Sequence, residues 1–89
     1  MNVEETMRAK LTTAFAPSAL EIDNESHLHH GHHGSPATGE SHFRIHIVSA
    51  RFAGKRLVER HRLVNEALQD ELAGPVHALA MRTLAPGEA

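Results

Sequence analysis

Cysteine is absent from the 89-residue sequence, which excludes disulfide bonds and thiolate metal ligands for this chain. Tryptophan and tyrosine are absent too, and phenylalanine occurs at only three positions, so the core must consist mostly of aliphatic side chains. No apolar run approaches the ~20 residues of a membrane-spanning helix, and the N-terminal segment lacks the apolar centre of a signal peptide. From these absences we expect a cytoplasmic protein that does not insert into a membrane.

The charges are distributed unevenly along a chain whose length has room for one domain, which we expect to span residues 1–89. The formal net charge is −2, yet Glu59 is the only acidic residue between Arg44 and Arg62. The sequence therefore allows a basic surface on an acidic protein. Six of the nine lysines and arginines lie in this stretch: Arg44, Arg51, Lys55, Arg56, Arg60 and Arg62.

Two segments have the periodicity of amphipathic helices. The first helix is predicted to be capped by Asn2 and to end before Pro17. The second is predicted over residues 56–72 and is closed by Gly74 and Pro75. The apolar stripe of the first helix is Val3, Met7, Leu11 and Phe15, and that of the second is Leu57, His61, Val64, Leu68 and Leu72.

Three segments alternate apolar and polar residues as strands do: 19–23, 43–48 and 76–81. The last two strands are joined through a helix and can pair in parallel, whereas the first two are joined by a loop and can pair antiparallel. The sequence thus predicts an α+β domain of order α-β-β-α-β, with helices packed on one face of a three-stranded mixed sheet. It also predicts a loop over 24–41 and a short tail over 84–89.

Histidine is over-represented, with nine residues, five of them between His27 and His33 in the predicted loop. Imidazole binds zinc, copper, iron and nickel, but a histidine-biased linker that binds metals weakly would have the same composition. Two interpretations also stay open for His77, on the last predicted strand: a metal ligand, or a hydrogen-bonded residue at the sheet surface. His61, on the apolar face of the second helix, is interpreted as a structural residue.

Support for catalysis is weak, because the sequence has no cysteine, no G-x-S-x-G motif and no phosphate-binding glycine-rich loop. We therefore expect neither enzymatic activity nor a small-molecule substrate. The basic stretch is either a solvated surface or one that contacts phosphates. KH-type modules share the predicted order of elements, but the G-x-x-G loop with which they clamp nucleic acid is missing here.

Several short motifs, taken together and in this order, resemble the BolA family. The resemblance runs from about Met7 to Pro86, which is nearly the whole chain. The motifs are Asn24-Glu25-Ser26, Glu40-Ser41-His42-Phe43, Ile47-Val48-Ser49, Phe52-Ala53-Gly54, Arg60-His61-Arg62-Leu63-Val64 and Val76-His77-Ala78-Leu79-Ala80.

This resemblance implies a fold similar to class II KH domains and a function without catalysis. BolA-like proteins form heterocomplexes with monothiol glutaredoxins around a shared [2Fe–2S] cluster, in iron–sulfur trafficking or iron-dependent regulation. The family's cluster-ligating histidine corresponds to His77, and its loop ligand to His29. Glutaredoxin and glutathione would supply the thiolates, so no cluster is expected in the isolated chain. This loop looks richer in histidine than that of most relatives, so three other residues compete with His29: His30, His32 and His33.

The resemblance also bears on the basic stretch. The family's R-H-R segment, here Arg60 to Arg62, lies beside the surface that faces glutaredoxin, so Arg60 and Arg62 are predicted to contact this partner. Some BolA relatives are described as transcription factors, which leaves a KH-like DNA-binding regulator as the alternative function. In that case the residues predicted to contact DNA are Arg51, Lys55 and Arg56.

Overall fold

The computed structural model describes residues 2–25 and 42–88. Within them the chain forms three helices, three strands and one 3-10 turn. In chain order these are α1 (Val3–Phe15), β1 (Ala19–Asn24), β2 (His42–Val48), the 3-10 turn (Ala50–Phe52), α2 (Leu57–Ala67), α3 (Gln69–Ala73) and β3 (Ala78–Leu84).

Helix α1 has the limits that its sequence predicts. The side chain of Asn2 accepts a hydrogen bond from the backbone N–H of Glu5 at 2.8 Å, which satisfies one of the free donors of the first turn. The helix ends at Ala16, whose left-handed backbone (φ 44°) turns the chain just before Pro17. The predicted stripe is confirmed, because Met7, Leu11 and Phe15 are all buried.

The sheet has the order β1-β2-β3 and the predicted mixed pairing. Strands β1 and β2 are antiparallel, with Ala19 opposite Val48. Strands β2 and β3 are parallel, and their register places His42 opposite Ala78. The alternation predicted for β2 is confirmed, since Phe43, Ile45 and Ile47 are buried while Arg44 between them is exposed.

A single apolar core joins the inward face of the sheet to the helices, and none of the described helices covers the other face, which is called the open face below. The rings of Phe15 and Phe52 contact each other across this core, with centroids 5.0 Å apart. On the open face, Glu21, Arg44 and Arg82 are exposed. The buried core residues are Met7, Leu11, Phe15, Ile22, Phe43, Ile45, Ile47, Phe52, Val64, Leu68, Val76 and Ala85.

The second predicted helix differs from the structure in its continuity and in its buried face. It is broken at Leu68, which separates α2 from α3 and has a backbone (φ −108°, ψ 20°) outside the helical range. Leu57, predicted on the core face, is 61 % exposed, whereas Arg60 is buried. The rest of the predicted face is confirmed, since Val64 and Leu68 are buried. The difference is confined to the first turn, where the Arg60 side chain finds polar partners inside the fold.

The last strand begins and ends later than predicted. It covers Ala78–Leu84 rather than residues 76–81, because pairing with β2 continues as far as Leu84 opposite Val48. The residues that follow are not a free tail either. Ala85 is buried in the core, and the carboxylate of Glu88 packs against Arg60.

The side chain of Arg60 ties α2 to the end of β3 and to the C-terminal segment. Its Nη1 donates hydrogen bonds to the Thr83 carbonyl at 3.1 Å and to Glu88 Oε1 at 2.6 Å, and its Nη2 donates to Glu88 Oε2 at 2.9 Å. Its Nε donates to the Lys55 carbonyl at 3.0 Å. The hydrogen bonds from Arg60, helped by one from the Ala85 backbone N–H, lower the pKa of Glu88 from 4.5 to about 2.

None of the helices in residues 2–25 and 42–88 is long and apolar enough to cross a membrane.

Replacing the exposed Leu57 by alanine tests the corrected burial at the start of α2, with the buried Phe52 of the preceding 3-10 turn as the reference. We expect Phe52→Ala to lower the free energy of unfolding by about 3–5 kcal/mol, because it leaves a cavity beside Phe15. Leu57→Ala should change it by no more than about 0.5 kcal/mol, because that side chain is mostly in solvent. Urea unfolding measures both. If Leu57→Ala lowered the free energy of unfolding as much as Phe52→Ala, the burial of Leu57 predicted from the sequence would be supported.

Glu88→Gln tests the link between Arg60 and the C-terminal segment through its pH dependence. A carboxyl whose pKa is lowered in the folded state stabilises the fold above its unfolded pKa, and this contribution is lost as the pH falls through the folded value. The variant should therefore melt below the wild type at neutral pH, and the difference should disappear between pH 4.5 and about 2. The control is Glu66→Gln on α2, an exposed position with no ion pair among the described residues. If the difference in melting temperature between Glu88→Gln and the wild type did not depend on pH, the ion pair between Arg60 and Glu88 would not be the source of this stability.

Candidate functional site

His77 lies at the end of the sheet where β3 begins. It follows the buried Val76, whose N–H donates to the Glu71 carbonyl at 2.9 Å, and it directly precedes the strand. The strand starts later than predicted, so His77 lies just before it and not within it. Its side chain is exposed and makes no hydrogen bond or ion pair with another described residue. Its imidazole is therefore accessible to a ligand from outside the chain.

A second histidine, His42, lies beside His77 at the same end of the sheet. It is the first residue of β2, and the parallel register places it opposite Ala78, next to His77. The two imidazole rings have centroids 6.4 Å apart and planes inclined by 27°. His42 is not among the site residues predicted from the sequence. The signal was present in the predicted parallel pairing, which brings the starts of the last two strands together.

The chain leaves and re-enters the described structure next to this histidine pair. The N–H of Glu25 donates to the His42 carbonyl at 2.8 Å, so the two ends of segment 26–41 meet beside His42. The Glu25 carboxylate is occupied by Arg44, whose Nε lies 3.1 Å from its Oε2. The predicted loop ligand His29 lies outside the described residues, as do its competitors His30, His32 and His33.

Neutral imidazole is a ligand for borderline transition metals, so the pair is a candidate metal-ligating site. Within residues 2–25 and 42–88, however, no three side chains of histidine, aspartate or glutamate converge on one point. Further along the open face of β2, Nδ1 of His46 lies 3.9 Å from a carboxylate oxygen of Glu21. A metal ion at this pair would therefore have two imidazole ligands from the described residues, and its other ligands would come from elsewhere.

The basic residues predicted to bind DNA lie at the opposite end of β2 and are only partly brought together. Arg51 and Lys55 both line a groove of about 640 Å³ between α1, the 3-10 turn and α2, whereas Arg56 is outside it. Gly54, with φ +75°, permits the turn between Arg51 and Lys55. The groove is lined by Ala14, Phe15, Arg51, Lys55, Leu63, Glu66 and Ala67.

The three residues of the R-H-R segment have different environments. The side chain of Arg60 is 11 % exposed and fully engaged within the fold, so little of it is accessible to a partner. Arg62 is exposed and remains available. His61 is half-buried, in keeping with a structural role, but its Nε2 is buried without a hydrogen-bond partner among the described residues.

Comparison with known proteins gives consistent relatives. A family model for BolA-like protein matches residues 11–88. BolA-like protein 1 of Mus musculus is 52 % identical over 86 residues, which are 97 % of this chain and 60 % of the mouse protein. This chain therefore spans about three fifths of the length of that relative. The protein named DNA-binding transcriptional regulator BolA in Vibrio cholerae is 48 % identical over 81 residues, covering 91 % of this chain and 73 % of that protein.

The solved structures lead to the same family. The structure of BolA1 from Arabidopsis thaliana superposes with a TM-score of 0.90 at 40 % identity, and the match covers 100 % of this chain and 97 % of the other. The element order, the mixed sheet and the motif around His77 thus occur together with a family match over most of the chain. The chain belongs to the BolA family.

Proposed function

We propose that this chain is a non-enzymatic partner protein that forms a heterocomplex with a monothiol glutaredoxin and bridges a [2Fe–2S] cluster with it, in iron–sulfur trafficking or iron-dependent regulation. The observation that carries the proposal is the exposed imidazole of His77 at the end of the sheet. Family membership supplies the context, since the V-H-A-L-A motif around His77 is the one that resembles the family's ligand motif.

The donors of this chain fit a shared cluster. A [2Fe–2S] cluster takes four ligands, usually thiolates, and Rieske centres show that two of them can be imidazoles on one iron. This chain has no cysteine. Its described residues also bring no three potential ligands together. A cluster held here would therefore take its thiolates from a partner, which glutaredoxin and glutathione can provide.

The role of this chain in the complex follows from how His77 is held. The hydrogen bond from the Val76 N–H to the Glu71 carbonyl fixes the backbone just before it, and β3 fixes the backbone just after it. The bound cluster would supply iron, sulfide and redox chemistry. The chain would contribute a positioned neutral nitrogen donor, a second donor assigned by resemblance to His29, and the exposed Arg62 at the partner-facing surface.

His77→Ala tests the proposal in the complex. Co-purified with a monothiol glutaredoxin and glutathione, the wild-type chain should give the visible absorption and circular dichroism of a mixed-ligand cluster. The variant should lose this signal or bind the cluster at least about tenfold more weakly, because it lacks a direct donor. His46→Ala is the matched control, a histidine of the open sheet face further along β2.

The stability of the variants separates loss of a ligand from loss of fold. Since His77 is exposed, its replacement should change the free energy of unfolding by no more than about 0.5 kcal/mol. A folded His77→Ala variant that assembles an unchanged chromophore with glutaredoxin would refute the proposed ligation. If the wild-type chain forms no complex with the glutaredoxin, the whole proposal is wrong.

A DNA-binding regulator is the second candidate, and one feature of the groove favours it. Arg51 and Lys55 line the same concave surface, and neither side chain has a hydrogen bond or ion pair among the described residues. Two such cations can neutralise phosphates. A relative in Vibrio cholerae carries the name DNA-binding transcriptional regulator BolA.

The double variant Arg51→Ala/Lys55→Ala tests this second candidate against a control of equal charge, Arg8→Ala/Arg82→Ala, outside the groove. If the groove contacts phosphates, the first variant should weaken DNA binding and reduce the slope of log K against log salt by about 2, whereas the control should change it less. Fluorescence anisotropy at several salt concentrations measures this. If both double variants weakened DNA binding equally, DNA would be attracted by the net charge of the protein, and specific binding in the groove would be ruled out.

A further inference from the structure

Strand β3 lies at an edge of the sheet, and part of its outer side has no hydrogen-bond partner. The Leu84 carbonyl points towards β2, because it accepts from the N–H of the residue that follows β2 at 2.9 Å. In a parallel pair the backbone groups alternate in direction, so those of Leu79, Met81 and Thr83 point outwards. Among the described residues only Arg60 bonds to this outer edge, through the Thr83 carbonyl. The outward N–H and C=O groups of Leu79 and Met81 are therefore available to another strand.

The opposite edge of the sheet, along β1, is better protected. The Leu20 carbonyl accepts a long hydrogen bond of 3.5 Å from Arg8 Nη1, and Glu21 and Asp23 add negative charges to the strand. Strand β3 has no lysine, proline, acidic residue or bulge, and Arg82 is its one charged residue. Natural proteins use such features to prevent an edge strand from pairing with another chain. Their scarcity in β3 indicates a strand that accepts a partner.

Two exposed apolar side chains of α2 lie near the same edge. Helix α2 contacts β3, whereas α1 contacts β1, and Leu63 and Ala67 of α2 line the groove between the helices. Helical spacing places Leu57 and Val58 on the side of α2 that is turned away from this groove. They are 61 % and 60 % exposed, which is unusual for large apolar side chains. We call these two residues and the outer edge of residues 78–82 the β3 edge surface.

The outer edge of β3 is complementary to a second copy of itself. Two β3 strands related by a twofold axis at Ala80 would run antiparallel, with Leu79 of each copy opposite Met81 of the other. These residues would exchange the backbone hydrogen bonds that each chain leaves unmade. Arg82 would lie opposite Ala78, whereas a twofold axis at Arg82 would place two guanidinium groups opposite each other. The charge on the strand therefore favours the register centred on Ala80.

We propose that two copies of this chain associate through the β3 edge surface and form one continuous sheet across a twofold axis at Ala80. The helices of both copies would lie on the same face of this sheet, since antiparallel pairing about such an axis preserves the faces. Leu57 and Val58 would then lie beside the second copy, which gives a reason for their exposure in a single chain. This association does not require the glutaredoxin complex.

Sedimentation equilibrium of the full-length chain tests the association. The wild type should show a monomer–dimer equilibrium with a dissociation constant on the order of 100 µM, because the interface is small. Ala80→Lys and Ala80→Glu should each weaken the dimer at least about tenfold, since the axis places like charges opposite each other. An equimolar mixture of the two variants should restore it, because the lysine then faces the glutamate. Ala19→Lys and Ala19→Glu, at an exposed alanine of β1, are the matched controls and should have no effect.

Hydrogen exchange measured by NMR on the wild-type chain shows which edge forms the dimer, without any substitution. The N–H groups of Leu79 and Met81 should exchange more slowly at high than at low protein concentration, because they become hydrogen-bonded in the dimer. The N–H of Ile22, on the outer edge of β1, is the internal control and should exchange at the same rate at both concentrations.

Several results would overturn the proposed dimer. One is a wild-type chain that stays monomeric up to about 1 mM, and another is a dimer that both Ala80 variants leave unchanged. A mixture of these variants that stays monomeric would show that residue 80 does not face itself across a twofold axis. Slower exchange at Ile22 in place of Leu79 and Met81 would assign the interface to β1. Thermal melting of each variant confirms that a weaker dimer does not result from loss of the fold.

Discussion

The parallel pairing of β2 with β3 is the interaction on which the rest of the structure depends. It places the inward side chains of both strands in one core, and it sets the register in which His42 lies opposite Ala78. A shift of one residue would reverse the faces of β3 and turn its inward side chains away from the core. The same ladder that stabilises the domain therefore positions the only two imidazoles that the described residues bring into ring contact.

The pairing needs α2 and α3 to return the chain to the start of β3, and Arg60 secures that return at the other end of the strand. Its guanidinium bonds the Thr83 carbonyl on β3 and the Glu88 carboxylate beyond it. A buried guanidinium is costly unless it is paired and hydrogen-bonded, and here its three nitrogens all have partners. The positive charge of Arg60 is therefore used within the fold. Arg62 is the exposed cation of the R-H-R segment.

The sequence predicted what depends on local pattern and missed what depends on distant partners. The cap at Asn2 and the alternation in β2 follow from residues close together in the chain, and the mixed pairing follows from the helix or loop that joins each pair of strands; each is confirmed. Helical periodicity could not predict that Arg60 is buried in place of Leu57, because the carboxylate that stabilises the buried guanidinium belongs to the distant Glu88. For the candidate site, His77 was found through its motif, but its neighbour His42 becomes visible only once the register is known.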